Sequence, residues 1–301
     1  MSDQTKAPKA GEPVEIAPGL RRILAPNPSP MTYWGTNTYL LGKNEVTIVD
    51  PGPENAQHLD AIVKACGGCE NIIQILVTHA HRDHSPGAGV LSRATGAPVL
   101  AFGDAQAGRN EVRALLDIGG GEGVDTGFQP DRTLIDAEVI DSEIGAVTAL
   151  WTPGHFGNHM CFALPDGILF TGDLVMGWAT SLVSPPDGDL GAFLRSLDRL
   201  AARTEDRLYL PGHGAPMTTP HARLAELRDH RLMRHSQIRT ALLDEPGTAT
   251  ELAHRIYTEI DRDLLPAAAR NVLAHLLEMA SQNEATPEGV LSFSTRFRIV
   301  K

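Results

Sequence analysis

The chain is short of cysteine, has no long apolar run and carries no excess of positive charge. Three cysteines in 301 residues exclude a small secreted framework stapled by disulfides. Cys66 and Cys69 have the spacing of a redox or zinc pair, but no second pair accompanies them. They follow a helical segment with Leu59, Ile62 and Val63 on one face, so reduced structural thiols in a turn are expected. Cys161 falls in an apolar run and is expected in the core. No stretch approaches the roughly 18 apolar residues of a membrane span. Residues 1–13 are polar, contain Lys6 and Lys9, and have no apolar segment behind them. They read as a disordered tail and not as a signal peptide, which places the protein in the cytoplasm. There is no internal repeat and no long low-complexity segment.

The formal net charge is −11, and it is unevenly placed. Residues 1–220 hold 15 basic and 26 acidic side chains, whereas residues 221–301 hold 11 of each. An acidic first part argues against broad affinity for nucleic acid. One stripe runs the other way, through Arg223, Arg228, Arg231, Arg234 and Arg239. It reads as a solvated helix face or as a phosphate-binding edge.

What the chain does have is a concentration of metal-type donors. Thr78-His79-Ala80-His81-Arg82-Asp83-His84 follows the apolar run Ile72-Ile73-Gln74-Ile75-Leu76-Val77. Such a run predicts a buried strand, so the cluster lies at a strand end, where α/β scaffolds build their sites. Imidazole and carboxylate suit a borderline cation such as zinc. Three histidines and an aspartate left dry and unliganded would leave polar groups unpaired. Three later segments repeat the plan of apolar run, tight turn and donor. They are Thr152-Pro153-Gly154-His155, Thr171-Gly172-Asp173 and Pro211-Gly212-His213-Gly214. The donors exceed what one tetrahedral site needs, which predicts two metals.

The chain divides at about residue 220. Before it, strands are predicted at 46–49, 72–77, 98–102, 147–151 and 208–210, and helices at 56–65, 87–94 and 190–202. The last helix carries Leu190, Phe193, Leu194, Leu197 and Leu200 at helical spacing. Residues 119–123, four of them glycine, read as a flexible loop. After residue 220 three helices are predicted, at 222–243, from Thr248 with a Thr248/Glu251 capping box, and from Pro266. A hairpin of 290–293 with 296–300 follows. Three helices and a hairpin make a winged-helix-like unit over 221–301.

The ordered motifs His79, His81, Asp83, His84, His155, Asp173 and His213 resemble those of the metallo-β-lactamase superfamily. The resemblance implies an α/β fold, a four-layer αβ/βα sandwich over 14–220 in which two mixed sheets lie between helices. It implies that His79, His81 and His155 hold one metal, that Asp83, His84 and His213 hold a second, and that Asp173 bridges them. Two Zn2+ ions are expected, with Fe or Mn also compatible. Histidine at position 81, where the flavodiiron branch has glutamate, disfavours that redox branch. Phe156 stands where a serine or threonine commonly follows the third metal histidine. Further signatures resemble the lactamase-beta-like protein 2 branch: Asn27-Pro28, Gly35-Thr36-Asn37-Thr38-Tyr39-Leu40, Asp50-Pro51-Gly52, Arg255-Ile256-Tyr257 and Asn271-Val272-Leu273-Ala274-His275-Leu276-Leu277. In that branch the resemblance implies hydrolysis, and an animal member is associated with cutting single-stranded RNA.

The expected chemistry is hydrolysis by a bridging water whose pKa two metals about 3.5–4 Å apart would lower. Asp83 is the candidate that orients it. Asp50, closing the 46–49 strand, is a candidate partner for a ligand histidine or a plain turn carboxylate. His159 is a candidate proton donor or a brace for the strand at 160–164. Tyr33, Trp34 and Trp178 are candidates to line a groove or to pack against the sandwich. His221, His230, His235, His254 and His275 are expected to be surface or core residues and not ligands. Three activities remain open on the sequence. The first is a small-molecule hydrolase of an ester, thioester, lactone or lactam. The second is a metal-dependent endoribonuclease acting on single-stranded RNA. The third, a one-iron persulfide dioxygenase, is disfavoured by the second donor set of Asp83, His84 and His213. No membrane partner is expected.

Overall fold

The computed structural model describes residues 6–116 and 118–300. The first sheet runs in chain order: β1 (Val14–Ala17), β2 (Leu20–Leu24), β3 (Asn37–Leu41), β4 (Val46–Val49), β5 (Ile72–Leu76), β6 (Val99–Ala101) and β7 (Arg132–Thr133). Its pairs are antiparallel up to β4 and parallel from β4 to β7. The parallel half needs crossovers, which α1 (Ala56–Cys66) and α2 (Pro86–Thr95) supply. The Asn55 side chain caps α1 by accepting from the His58 amide, and α1 stops at Gly67, whose φ of 82° suits glycine. A short α3 (Glu111–Ala114) follows β6.

The second sheet contains β8 (Val139–Ile140), β9 (Val147–Trp151), β10 (Met160–Leu164), β11 (Ile168–Gly172) and β12 (Leu208–Pro211), in the order β12-β11-β10-β9-β8. Helix α4 (Leu190–Ala201) crosses from β11 to its parallel neighbour β12. Asp189 caps that helix by accepting from the Ala192 amide.

Strand periodicity sorts the side chains into layers. Tyr39, Leu41, Val49 and Leu76 meet Val147, Ala149, Met160, Phe162, Ile168, Phe170 and Leu210 between the two sheets. The alternate residues Leu40, Ile48 and Ile75 face α1 and α2, through Leu59, Ile62 and Leu91. Cys161, Ala163, Leu169 and Tyr209 face α4, through Leu190, Phe193, Leu197 and Leu200. The result is the four-layer αβ/βα sandwich. Cys161 is core, as read from its strand. Cys66 is buried and Cys69 half-buried, and neither is in a disulfide. Burial pushes the Cys66 thiol up to about 11, which leaves it unreactive.

The C-terminal unit comprises α5 (Pro220–Asp244), α6 (Ala249–Ile256), α7 (Leu265–Ser281) and the hairpin of β13 (Ala285–Pro287) with β14 (Phe297–Ile299). The Thr248/Glu251 capping box is present at α6. Helix α5 is shared. Leu224 and Leu227 pack on the α4 side, whereas Ile238 and Leu242 pack with Leu252, Val272, Leu276 and Phe297. Long α5 thus fastens the two units together.

Two expectations change. The hairpin's first arm is Ala285–Pro287 and not 290–293. The Val-Leu-Ser-Phe alternation imitates a strand, but Thr295 satisfies that turn locally. Its hydroxyl donates to the Val290 carbonyl at 2.7 Å and accepts from the Ser292 amide at 2.9 Å. Of the expected tail 1–13, residues 1–5 lie outside the described residues. Within the remainder the Gly11 amide donates to the Leu24 carbonyl at 2.9 Å, so this stretch is attached to the edge of β2.

Candidate metal centre

Strands β4 and β5 are parallel, and β9, β11 and β12 share a direction because β9 and β11 both pair antiparallel with β10. Their C-terminal ends therefore open on one edge of the sandwich. Asp50 follows β4, Thr78 to His84 follow β5, His155 follows β9, Asp173 follows β11 and His213 follows β12. Three cross-links draw the two sheets together there. The Met160 amide donates to the Thr78 carbonyl at 2.8 Å, the Asn37 amide to the Gly212 carbonyl at 2.7 Å, and the Tyr39 hydroxyl to the Pro211 carbonyl at 2.8 Å. Gly212 must be glycine, because a Cβ there would run into the Asp173 carboxylate and come within 2.6 Å of His84 Cε1.

All seven expected ligand-type residues meet at this edge. His79 Nε2 and His155 Nε2 lie 2.9 and 3.2 Å from His81 Nδ1. His213 Nε2 lies 3.1 Å from Asp83 Oδ2 and 3.3 Å from both His84 Nε2 and Asp173 Oδ2. His84 Nε2 lies 3.5 Å from Asp83 Oδ2 and from Asp173 Oδ1. Three overlapping groups converge closely enough to share a cation: His79/His81/His155, His79/His84/Asp173 and Asp83/His84/His213.

The outer ring nitrogens decide which atom faces inward. His84 Nδ1 donates to Asp50 Oδ2 at 2.9 Å, His155 Nδ1 to the Leu182 carbonyl at 2.6 Å, and His213 Nδ1 to the Gly35 carbonyl at 3.1 Å. The Thr78 hydroxyl donates to Asp50 Oδ2 at 2.7 Å, so it accepts from His79 Nδ1 at 3.0 Å. In each case Nδ1 carries a proton and Nε2 points at the centre, the orientation in which a deprotonated Nε2 ligates a cation. Lone pairs this close repel one another unless a cation lies among them. Asp173 Oδ1 is buried without a hydrogen-bond partner, which a cation would satisfy. The donor set fits two ions of the borderline type.

The electrostatics split the site. Burial and the neighbouring rings push His79 well below its ordinary range, and burial with His155 pushes His81 down to about 3. Burial also lowers His155. These rings are neutral and ready to bind. For His84 and His213 burial acts in the same direction but is outweighed. Asp83, Asp173 and Asp50 hold His84 well above its ordinary range, and Asp173 and Asp83 lift His213 to about 9. In turn Asp83 and Asp173 are held below the carboxylate range, because His84 and His213 outweigh the cost of burial. A cation entering the second group displaces protons, whereas one entering the first does not.

Asp50 holds a ligand rather than only making a turn. Its carboxylate takes the Thr78 amide at 2.7 Å as well as His84. His159 corrects the proton-donor expectation. It is fully buried, and its Nδ1 lies 3.0 Å from the Thr152 hydroxyl. Gly172 leaves its Cβ space to His159 Nε2. The ring braces the ends of β9 and β11, and a sealed ring cannot reach a leaving group. Phe156 fills by packing the place where a hydroxyl was expected, its ring 4.8 Å from that of His81. Tyr33, held at φ 54°, is stacked between Trp34 and Trp178 at 4.8 Å from each, beside the Gly214 turn.

The arginine stripe is largely committed internally. Arg231 is buried against the Phe193 ring and donates to Asn271 Oδ1 at 3.0 Å and to the Ser181 carbonyl. Arg223 donates to the carbonyls of Met176 and Ala179 at 2.8 and 2.7 Å. Arg228 pairs with Asp198, and Arg234 covers the Tyr257 ring. The solvated-face reading holds for Arg239. It holds also for Arg228, whose pair with Asp198 is exposed, whereas Arg223, Arg231 and Arg234 are held by partners that sequence spacing cannot show.

His81, Asp83, His155 and Asp173 open on a cavity of about 920 Å3. Its opposite wall comes from the C-terminal unit: Ala253 of α6, Leu265, Pro266 and Ala269 of α7, and Phe293 of the hairpin loop. Arg262, Arg270, Asp187 and the 119–123 glycine loop complete it. Sequence reasoning read the glycine loop but not its place beside the donor cluster. Arg270 and Asp187 were missed, because each is a lone charge without a motif. Among the described residues, no helix is long and apolar enough to cross a membrane.

Comparison with known proteins agrees with this geometry. The metallo-beta-lactamase superfamily model matches residues 31–213, and the beta-lactamase associated winged helix domain model matches 248–289. A beta-lactamase-like protein 2 homolog from Drosophila melanogaster is 30% identical over 275 residues, 87% of this chain and 88% of the relative. An atrochrysone carboxyl ACP thioesterase from Aspergillus chevalieri is 32% identical over 247 residues, 80% of this chain and 71% of the relative. A solved metallo-beta-lactamase family protein from Thermus thermophilus superposes with a TM-score of 0.77 at 27% identity, over 95% of this chain and 100% of the other. The chain belongs to the metallo-beta-lactamase superfamily and is a metal-dependent hydrolase.

Proposed function

We propose that this chain hydrolyses an acyl thioester, or an activated ester of similar shape, with two zinc ions. His79, His81 and His155 would hold one ion, Asp83, His84 and His213 the other, and Asp173 would lie between them. When bound, the ions supply Lewis acidity and an acidified water at neutral pH. The chain's own residues do the rest. Asp50, Thr78, Leu182 and Gly35 orient the four rings whose Nε2 atoms face inward. Asp83 is partly exposed on the cleft and ionised, so its carboxylate can align an attacking water. The C-terminal wall excludes solvent from the acyl group.

The observation that carries this reading is the cleft. It is large and continuous with the donor set, and its far wall presents Ala253, Leu265, Pro266, Ala269 and Phe293, so that most of its exposed surface is apolar although Arg262 and Arg270 also line it, which suits an acyl chain. The leaving group points the same way. His159 is sealed from the cleft, and a thiolate with an ordinary pKa of about 8.5 departs without a proton donor, as an alkoxide does not. The committed Arg223, Arg231 and Arg234 weaken the ribonuclease reading. The relative named as an acyl carrier protein thioesterase supports the thioester class.

The test is a parallel assay of zinc-loaded protein on the N-acetylcysteamine thioester of decanoic acid, p-nitrophenyl decanoate, a β-lactam and a fluorescent single-stranded RNA. Turnover of the two decanoyl substrates well above the β-lactam and the RNA is expected. RNA cleavage without thioester turnover would overturn the proposal.

A further inference from the structure

One guanidinium joins three segments that line the cleft. Arg270, on α7, donates through Nη1 to the Ile118 carbonyl at 2.5 Å, through Nη2 to the Gly119 carbonyl at 3.2 Å, and through Nε to the Ser184 hydroxyl at 2.9 Å. The Phe293 ring lies over it at 5.2 Å. Gly119 to Gly123, Ser184 and Phe293 all face the cavity beside the metal donors. We propose that Arg270 is a positioning residue that sets the shape of the acyl site by clamping the glycine loop and the Ser184 turn onto the C-terminal unit. The inference rests on the acyl-hydrolase reading only for the choice of substrate probes.

The loop needs such a clamp. Gly119, Gly120, Gly121 and Gly123 have φ of 64°, 108°, 85° and 81°, a backbone that glycine adopts freely and leaves as freely. A Cβ on Gly121 or Gly123 would meet nothing within 4 Å, so that side of the loop is open. A Cβ on Gly120 would meet Arg270 Nη2 at 2.7 Å and the Pro185 carbonyl at 2.8 Å, so Gly120 is pressed against the clamp. Asp187, paired with Arg109, lines the cavity beside the loop.

At its far end the loop is tied to a metal-binding segment. The Arg82 amide donates to the Gly123 carbonyl at 2.8 Å and the Asp125 amide to the Ala80 carbonyl at 2.9 Å. The Ser85 hydroxyl reaches Asp125 Oδ2 at 2.7 Å. Position 81 also bridges to Val124. The glycine loop is thus the link between the C-terminal helix and the strand end that carries His81 and Asp83. Lysine has the charge of arginine but not its planar fork, and cannot reach three acceptors on two segments.

The experiment compares wild type, Arg270→Lys, Arg270→Met and Gly120→Ala. Arg296→Met is the control, because Arg296 pairs with Glu251 inside the C-terminal unit, away from the cleft. Two readouts are used on the full-length zinc-loaded protein. Amide hydrogen exchange over 118–125 should speed up by about tenfold or more in Arg270→Met, less in Arg270→Lys, and not in the control. KM for p-nitrophenyl decanoate should rise by about tenfold in Arg270→Met, with kcat changing far less and zinc content unchanged, the pattern of lost binding and not of lost chemistry. Gly120→Ala should move both readouts the same way, and it tests the clamp if Arg270→Met does not fold. Exchange at wild-type rates in both Arg270 variants, or kcat and KM moving together for decanoate and acetate esters alike, would overturn the proposal. If no ester is turned over by wild type, the acyl-hydrolase reading fails while exchange still decides the clamp.

Discussion

Asp50→Asn isolates the second metal position with little change of shape. Asp50 has φ 51°, a conformation that asparagine tolerates better than most residues, so the backbone should hold. The asparagine oxygen can still accept from the Thr78 amide at the 2.7 Å site. Its NH2 group then stands where Oδ2 accepts from both Thr78 Oγ1 and His84 Nδ1, at 2.7 and 2.9 Å. Donor now faces donor. The relief open to His84 is to move its proton to Nε2, where Asp83 and Asp173 lie at 3.5 Å to receive it. That removes the lone pair the second ion needs. Loss of such an orienting partner costs about 10–100-fold in metal affinity, roughly 1.4–2.8 kcal/mol. The first group, His79/His81/His155, keeps all three donors. Zinc titration against a chromophoric chelator should show one tight and one weakened ion per chain, with turnover falling alongside the weak one. Two ions bound with wild-type affinity would refute the argument that Asp50 sets the His84 tautomer.

Other expectations follow from the same contacts. His159→Gln should lower the melting temperature, because it disturbs the brace at Thr152, and should leave the pH profile of kcat in place; a lost alkaline limb would restore the proton-donor role. Arg231→Gln should destabilise the chain by about 1–3 kcal/mol, the usual cost of leaving buried neutral acceptors such as Asn271 Oδ1 and the Ser181 carbonyl unpaired, whereas Arg239→Gln should shift the urea midpoint negligibly. Equal midpoints would refute the internal role of Arg231. His58 is buried, and burial pushes it down to about 4. It is neutral in both states above the unfolded value near 6.5 and costs nothing there. Below that the unfolded chain takes the proton first, so stability falls until about pH 4, by up to roughly 3 kcal/mol. Urea melts of chelator-treated wild type and His58→Gln between pH 7 and 4 should show the stability difference shrinking with acid; a pH-independent difference would refute it.

The metal motifs were legible because their information is local. Each donor follows an apolar run by a few residues, and a strand end fixes where it points. The strands at 46–49 and 147–151 and the Thr248 capping box could be read for the same reason, whereas the four-layer fold was implied by the family resemblance. Strands β1, β7 and β8 were not read, since short edge segments such as Arg132–Thr133 carry no period of their own and are strands only because a neighbour pairs with them; the interior strands β2 and β3 were not read either.

What the chain could not show by spacing depends on partners distant in sequence. Arg231 resembles its neighbours on one helix, and only the packing of α5 on Phe193 and Asn271 makes it structural. Asp50 is a turn carboxylate until β4 and β5 lie side by side and deliver it to His84. His159 is a plausible acid until Thr152 and Gly172 pack against its ring. The cleft is the furthest case, because it joins residues 81–83 to 253–293. Sequence alone marked which residues are candidates to hold metals, through donors fixed within a few residues of a strand end. Tertiary structure alone decided what faces them, because that wall exists only where α6, α7 and the glycine loop are brought together by burial of side chains hundreds of positions apart.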